Sequence, residues 1–318
     1  MNSYTVFNLN LAELLPDRSL AYRDSLSECS NGEALAESIR RCGVVQPITV
    51  WQRNEGLQVV AGFRRLEVVQ NLGQGHIPAR LVQGDGRFLF LAAVEEHAGQ
   101  EINLRERARA IRIGIDLGWS VAEVSQTLLP PLGCSPHPSQ ATQHLKILAL
   151  PRLLLDLLVA KRFSLRRSLP FCHWDSADAL ILAQIALHLR LGGRQIEEVA
   201  TWLREIAGRE QLPLCQVVEE LSLLAPFTPQ AADQTQASAL ERLERKRMPE
   251  TYRRRDNLQQ LCQAASQNGM QVRFDPNFTS DAMEIVLSLE SNNQLQAITR
   301  HLSDPQTQAQ LEHILRCI

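Results

Sequence analysis

Three short β-type segments within residues 43–82 constrain the fold of this chain more than any other feature. They cover residues 48–51, 57–61 and 77–82, and the stretch between the second and the third repeats its apolar side chains at helical spacing. Strands and a helix therefore alternate over a short distance. The pattern predicts a small α/β domain.

The predicted helix of this domain begins with Gly62, Phe63, Arg64 and Arg65. Free backbone N–H groups at the start of a helix, together with two guanidinium groups, form an anion site that suits a phosphate. Two arginines on a surface helix also commonly form ion pairs with neighbouring carboxylates. From these residues alone, both interpretations stay open.

The length and composition of the chain set the scale of the fold. With 318 residues, the chain is long enough for two or three domains. It contains no apolar run of about eighteen residues and no basic-then-apolar leader, so we expect a cytosolic protein without a membrane segment. The seven cysteines are scattered without close pairs, which favours reduced thiols.

The charge distribution limits how the chain can contact nucleic acid. The net charge is −2, so any contact with DNA has to come from local basic patches. One patch lies within residues 161–167. The run 242–255 forms a larger patch, with seven basic residues against Glu244 and Glu250. Charge runs of this kind are usually solvated faces, so neither patch identifies a DNA site by itself.

Two short helices predicted in the middle of the chain have the arrangement of a helix-turn-helix. They cover residues 121–129 and 138–148, and a glycine-containing turn joins them, so that the second helix can enter a major groove. Its outward face offers side chains that suit phosphates or base edges: Ser139, Gln140, Thr142, Gln143 and Lys146. The alternative is a helical bundle with an ordinary polar face.

The last part of the chain changes in composition and then in pattern. Residues 225–238 are poor in apolar side chains and rich in Pro, Gln and Ala, which predicts a linker. Beyond the basic run, the periodicity predicts a helix at 256–267, strands at 271–274 and 284–289, and a helix at 293–302. The order of elements is α-β-β-α. A module this small buries little apolar surface alone, which favours self-association.

Three stretches of the chain resemble the N-terminal domain of the ParB family of partition proteins. They read Leu-Ala-Glu-Ser-Ile-Arg at 35–40, Gly-Val-Val-Gln-Pro-Ile-Thr-Val at 43–50 and Gly-Phe-Arg-Arg-Leu at 62–66. The resemblance implies a domain that, in many family members, binds CTP and acts as a nucleotide-gated clamp on DNA. Matched position by position, it implies that the nucleotide is held by Gln46, Gly62, Arg64 and Arg65.

The chain also departs from the family pattern. Phe63 stands where the family usually has glutamate, and the family's third nucleotide motif, ENxxR, aligns with Glu-Glu-His-Ala-Gly at residues 95–99. The resemblance implies that Glu95 and Glu96 hold Mg²⁺ through oxygen ligands, and that Glu95 is the candidate catalytic residue of a weak CTPase. The proline-rich phosphate loop of the family is not recognisable in residues 16–29.

Pattern and resemblance together predict an α+β multidomain protein. Its parts are a small α/β ParB-like nucleotide-binding domain (1–94), an all-helical DNA-binding domain (95–224) with the helix-turn-helix at about 120–150, a linker (225–238), and a basic segment with a small αββα C-terminal dimerisation domain (239–318).

The function implied is DNA binding in the partition or maintenance of a plasmid, chromosome or mobile element. The expected partners are double-stranded DNA, a second copy of the chain and a ParA-type ATPase, and the expected cofactors are CTP and Mg²⁺. The expected location is the nucleoid in the cytoplasm. Two alternatives stay open: an enzyme on the same fold, either a CTP hydrolase or a nuclease, and a non-enzymatic adaptor for a partition ATPase.

Overall fold

The structure, a computed structural model, describes residues 5–28, 32–224, 232–266, 269–276, 278–288 and 292–318. The chain is a mixture of helices and two small sheets. It divides into two compact units, Met1–Ile196 and Glu197–Ile318. No helix within the described ranges combines the length and the apolar character that crossing a bilayer requires.

A four-stranded sheet forms the N-terminal part of the first unit. The strands are β1 (Val6–Asn10), β2 (Ile48–Arg53), β3 (Gly56–Ala61) and β4 (His76–Val82), in the spatial order β1-β4-β2-β3. Strands β2 and β4 are parallel, and the other two pairs are antiparallel. The three strands predicted from the sequence are confirmed, while β1 was not predicted.

Two helices accompany this sheet, α1 (Gly32–Cys42) and α2 (Phe63–Asn71), as the sequence predicts. Asn31, which precedes α1 and has a side chain that favours the N-cap position, lies outside the described residues. The sheet buries its β-branched side chains against these helices, because alternate residues of a strand point to the same face. Ile48, Val50, Val59 and Ile77 are all fully buried in this cluster.

Four further helices follow: α3 (Gly86–Glu95), α4 (Leu104–Asp116), α5 (Val121–Thr127) and α6 (Pro138–Ile147). Helix α3 was not predicted. Helices α4 and α5 each begin with a capping box, formed by Asn103 with Glu106 and by Ser120 with Glu123, which satisfies backbone N–H groups that have no partner within the helix.

One apolar cluster connects the sheet with these helices. It includes Ala61 from β3, Val94 from α3, Ile111 from α4 and Ala141 from α6, all buried. The cluster therefore contains residues on both sides of the predicted domain boundary at position 94. The division of the chain into the parts predicted from the sequence stays a prediction.

The remaining helices of the first unit are α7 (Arg152–Ala160), α8 (Leu165–Ser168) and α9 (Ser176–His188), and α10 (Gly193–Glu210) runs across the division. The second unit continues with α11 (Leu214–Glu220), α12 (Ala232–Arg247), α13 (Pro249–Ala265), β5 (Met270–Phe274), β6 (Met283–Leu287), α14 (Asn292–Ser303) and α15 (Pro305–Cys317).

The second unit corrects two expectations. Residues 232–238 of the predicted linker belong to helix α12, because this polar stretch has few helix-breaking residues; residues 225–231 lie outside the described ranges. The predicted α-β-β-α order gains a last helix, α15, which begins at Pro305 behind the N-cap Asp304. The two predicted strands are present as β5 and β6, and they pair as an antiparallel hairpin.

Candidate nucleotide corner and DNA-binding face

Gly62 forms a corner between β3 and α2. Its φ of 97° is left-handed, and a Cβ atom added there would lie 2.8 Å from Cγ2 of the buried Ile48. Both the backbone angle and the lack of space therefore require glycine. The carbonyl of Gly62 accepts the backbone N–H of Leu66 at 3.0 Å, so the corner is also the start of the helix.

Arg65 connects this corner to the start of β2. Its Nη1 donates to the backbone oxygens of Gln46 at 2.6 Å and Pro47 at 2.7 Å. Burial lowers the pKa of Arg65, and the nearby charge of Arg80 lowers it further. The structure thus places Arg65 beside Gln46, but the contact is made through the backbone of Gln46, whose side chain is exposed.

Arg64 turns away from β2 and forms part of an ion pair. Its Nη2 donates to Glu106 Oε1 at 2.9 Å, and its Nε donates to the backbone oxygen of Asp24 at 2.8 Å. Glu106 is almost fully buried, at 2% exposed. Arg64 therefore serves first to hold the segment around Asp24 and the start of α4 against α2.

Arg23 lies at the same corner, and it was not predicted. Its Nε is 3.2 Å from Glu106 Oε1, yet Nε and Nη1 are buried and make no hydrogen bond within the described part of the chain. Buried donors without an acceptor are uncommon in folded proteins and often indicate a missing ligand or water. Arg23 belongs to the segment where no phosphate loop is recognisable, so only tertiary structure identifies it.

His97 adds a neutral ring to the arginine cluster. Its Nδ1 is 2.9 Å from the Tyr22 hydroxyl and 2.8 Å from the backbone oxygen of Ala93. Burial lowers the pKa of His97; the hydrogen bond with Ala93 opposes this, while the charges of Arg23, Arg65 and Arg64 lower the pKa further. Three guanidinium groups therefore act on His97, and a concentration of positive charge of this kind suits an anion site. We refer to Gly62, Arg23, Arg64, Arg65 and His97 as the arginine corner.

Asp24 fixes the segment that carries Arg23. Its side chain is 1% exposed and accepts hydrogen bonds from Asn103 Nδ2 at 2.7 Å, Arg105 Nε at 2.9 Å and Arg109 Nη1 at 3.0 Å. All three donors come from the first turns of α4 or its cap. The buried ion cluster therefore joins residues far apart in sequence and holds Arg23 in place.

The helix-turn-helix is formed by α5 and α6. In α6, Ala141, His144 and Ile147 are buried, while Ser139, Thr142 and Lys146 are exposed and Gln140 and Gln143 are half-buried. All the predicted DNA-binding residues therefore lie outside the core. Within the described ranges, the side chains of Gln140, Gln143 and Lys146 have no hydrogen-bond partner.

The long connection between α5 and α6 is part of the core. Leu128, Leu129 and Leu132 are fully buried in the same apolar cluster as Ala141. Arg107 of α4 donates from Nε to the backbone oxygen of Leu132 at 3.0 Å, which fixes the connection on α4. The residues of this connection therefore pack beneath the buried face of α6 and leave its outer face exposed.

Comparison with known protein families identifies the same part of the chain. The family model of the ParB N-terminal domain matches residues 2–96, which contain the sheet and most of the arginine corner. This part of the chain is similar to the N-terminal domain of ParB proteins.

Curated relatives extend the similarity beyond this domain. The chain is 29% identical over 178 residues to the probable chromosome 1-partitioning protein ParB of Deinococcus radiodurans, covering 56% of this chain and 59% of that protein. It is 39% identical over 97 residues to the probable plasmid-partitioning protein ParB of Thermus thermophilus, covering 30% and 33%. In both cases the aligned part spans less than two thirds of the relative.

Among solved structures, the chain is similar to the C-terminally truncated chromosome-partitioning protein ParB of Caulobacter crescentus complexed with CTP-gamma-S. The identity is 22%, the TM-score is 0.28, and the match covers 57% of this chain and 99% of that one.

The departures from the ParB pattern have local structural reasons. Phe63, in place of the usual glutamate, packs against two apolar clusters of the first unit. Gly99, in place of the motif's arginine, has a φ of 81°, a left-handed conformation that an arginine adopts only at a cost in energy. Both positions thus contribute to the packing or the backbone of the first unit.

The two acids of the third motif have different surroundings. Glu95 is exposed at the end of α3, and no partner of its carboxylate is found within the described residues. Glu96 forms an ion pair with Arg80 of β4. The described residues also contain no group of three or more His, Cys, Asp or Glu side chains placed to hold a metal ion. The roles of Glu95 and Glu96 stay predictions.

Most of the basic run 242–255 is neutralised within the second unit. Arg245 pairs with Asp256 at 2.6 Å, Lys246 with Glu210 at 2.9 Å and Glu220 at 2.5 Å, and Arg247 with Glu205 at 2.5 Å. Much of its charge is therefore compensated. The face of α6 is the stronger candidate for contact with DNA.

Proposed function

We propose that the chain is a DNA-binding partition protein of the ParB type, acting in the maintenance of a plasmid, chromosome or mobile element. The observation that carries this proposal is the outer face of α6, which is supported by a buried turn and presents Gln140, Gln143 and Lys146 without partners in the described structure. Glutamine suits adenine edges, and lysine suits phosphates. The ParB names of the curated relatives support the same function.

Lys146→Ala is expected to weaken binding to a random-sequence duplex and to reduce the slope of log affinity against log salt by about 1, because one phosphate contact is lost. The measurement is fluorescence anisotropy of a labelled duplex over a series of salt concentrations. Arg253→Ala is the matched control, since Arg253 is exposed and pairs with Glu250 at 2.7 Å. No binding by the unmodified chain even at low salt would remove the DNA role.

We further propose that the arginine corner binds a nucleotide, with CTP as the first candidate. The buried Nη1 atom of Arg23, which has no hydrogen-bond partner among the described residues, supports this, because a phosphate oxygen can supply an acceptor. The glycine at the corner allows the backbone to approach a ligand closely. Arg64 and Arg65 lie on the same helix and complete the set of cations.

Arg23→Gln is expected to lower CTP affinity by about tenfold to a hundredfold, because charge-assisted hydrogen bonds to the phosphates are lost. Calorimetry with CTP, ATP and GTP on the full chain measures this and gives the base preference. Arg40→Gln is the control, since Arg40 is an exposed arginine of α1 that pairs with Glu37. Equal affinities in the two variants would exclude Arg23 from the site.

Self-association completes the proposal. Ile285 and Leu287 of β6 lie on one face of the hairpin and are 39% and 42% exposed. Apolar residues that stand together on a small sheet suit an interface between two copies of the chain. A homodimer places two α6 faces on neighbouring half-sites of double-stranded DNA on the nucleoid, and a ParA-type ATPase is the partner that a partition role requires.

Hydrolysis of CTP is the second candidate function. The observation that favours it is the exposed carboxylate of Glu95, which the described residues leave without a partner. A carboxylate beside bound phosphates can orient an attacking water. The nuclease and adaptor alternatives have no comparable support in the geometry.

A further inference from the structure

The ion pair between Arg80 and Glu96 occupies the place where the family pattern implies a metal ion. Arg80 lies on β4 and Glu96 follows α3 directly, and their side chains are 29% and 30% exposed. Arg80 also donates from Nε to Thr49 Oγ1 at 2.7 Å, so the guanidinium is held from two sides. Its position is fixed by the sheet, because Thr49 and Arg80 are paired in the parallel ladder.

This pair is adjacent to the arginine corner. Thr49 is paired in the sheet with Ala61, the residue immediately before Gly62. The charge of Arg80 also acts on Arg65. A ligand bound by Arg65 therefore lies within the electrostatic reach of Arg80 as well.

The donor set does not suit Mg²⁺. A magnesium ion prefers carboxylate oxygens at close range in a nearly ideal octahedral arrangement. Glu96 already uses its carboxylate to pair with Arg80, and a divalent cation bound there would meet the positive charge of that guanidinium. Glu95 remains as a single exposed acid, which is a weak site on its own.

We infer that Arg80 replaces the divalent cation at the arginine corner, so that the corner binds the phosphates of a nucleotide without Mg²⁺. This inference rests on the proposed nucleotide-binding function. Two acids pair with cations of this set: Glu106 with Arg23 and Arg64, and Glu96 with Arg80, while Arg65 donates to backbone oxygens. Guanidinium groups can compensate phosphate charge through forked hydrogen bonds, without an ion between them.

The test is calorimetry on the full chain with CTP and with inorganic triphosphate, each in EDTA and in excess Mg²⁺. Affinity in EDTA is expected to equal or exceed that in Mg²⁺, because the metal competes with the arginines for the same oxygens. Binding that is tenfold or more tighter in Mg²⁺, a difference of about 1.4 kcal/mol, would overturn the inference while leaving nucleotide binding intact. No binding in either condition would overturn the nucleotide proposal and this inference with it.

Two variants separate the role of Arg80 from a purely structural one. Arg80→Gln is expected to lower the metal-free affinity by about tenfold or more. Glu96→Gln keeps Arg80 and removes its acid, so affinity in EDTA is expected to stay equal or to rise. If Glu96 were a metal ligand, that variant would lose affinity specifically in Mg²⁺. Arg40→Gln serves again as the control, and thermal unfolding of each variant checks the fold.

Discussion

Replacing Gly62 with alanine is expected to lower the free energy of unfolding of the first unit by roughly 2–5 kcal/mol. Two costs add: the left-handed φ of 97°, and a Cβ atom placed 2.8 Å from Cγ2 of Ile48. Ile48 is fully buried in β2, so it has little freedom to move away. The measurement is the urea midpoint of the far-UV circular dichroism signal.

Gly73→Ala is the matched control for this variant. Gly73 also has a left-handed φ, 69°, but a Cβ atom there meets nothing within 4 Å. It therefore bears the cost of the backbone angle alone, about 1–2 kcal/mol. The difference between the two variants isolates the steric conflict at the corner. Equal losses would mean that β2 can shift and that the corner is less rigid than the structure indicates.

The fold of the corner could be predicted because its signals are local. The strands β2, β3 and β4 alternate or concentrate apolar residues over short runs, and Gly62 separates a strand from a helix within a few positions. Helix α3 was missed for the opposite reason. Its sequence, GRFLFLAAVE, is apolar on nearly all sides, so it has no amphipathic period to detect.

The candidate site could be predicted only in part, because its partners are distant in sequence. Arg64 is the clearest case: its ion partner Glu106 comes from another helix, 42 positions away, so a predicted nucleotide ligand is also a structural residue. Arg23 was missed, since its neighbours in sequence do not indicate an anion site. The roles of Arg64 and Arg23 both depend on tertiary contacts, which local sequence patterns do not reveal.

The net charge of the basic run 242–255 also depends on residues that are distant in sequence. Only two acids lie within the run itself, which indicates a strongly basic surface. In the fold, Glu205, Glu210 and Glu220 come from α10 and α11 and pair with the run. Counting charges along the sequence therefore overestimates the field of this segment, because it ignores acids that the fold brings together.

Asp24→Asn is expected to destabilise the first unit by about 3 kcal/mol, because it leaves the buried guanidinium of Arg105 without its most deeply buried acid partner. Arg105 is 5% exposed, and its Nη2 lies 2.9 Å from Asp24 Oδ2. Asp116→Asn is the control, because Asp116 is exposed at the end of α4, the helix that carries Arg105. The free energy of unfolding of this variant is expected to change by no more than about 0.5 kcal/mol. Chemical unfolding of both variants measures the difference.

A double-mutant cycle decides whether this cluster acts as a unit. Arg105→Met alone leaves the buried carboxylate of Asp24 undercompensated, and Asp24→Asn alone leaves Arg105 undercompensated, so both single changes are costly. The double variant removes both charges and is expected to lose at least about 1 kcal/mol less than the sum of the two. A loss equal to the sum would show independent contacts. Coupling, with a parallel loss of CTP affinity in Asp24→Asn, would show that the cluster positions Arg23 as well as stabilising α4.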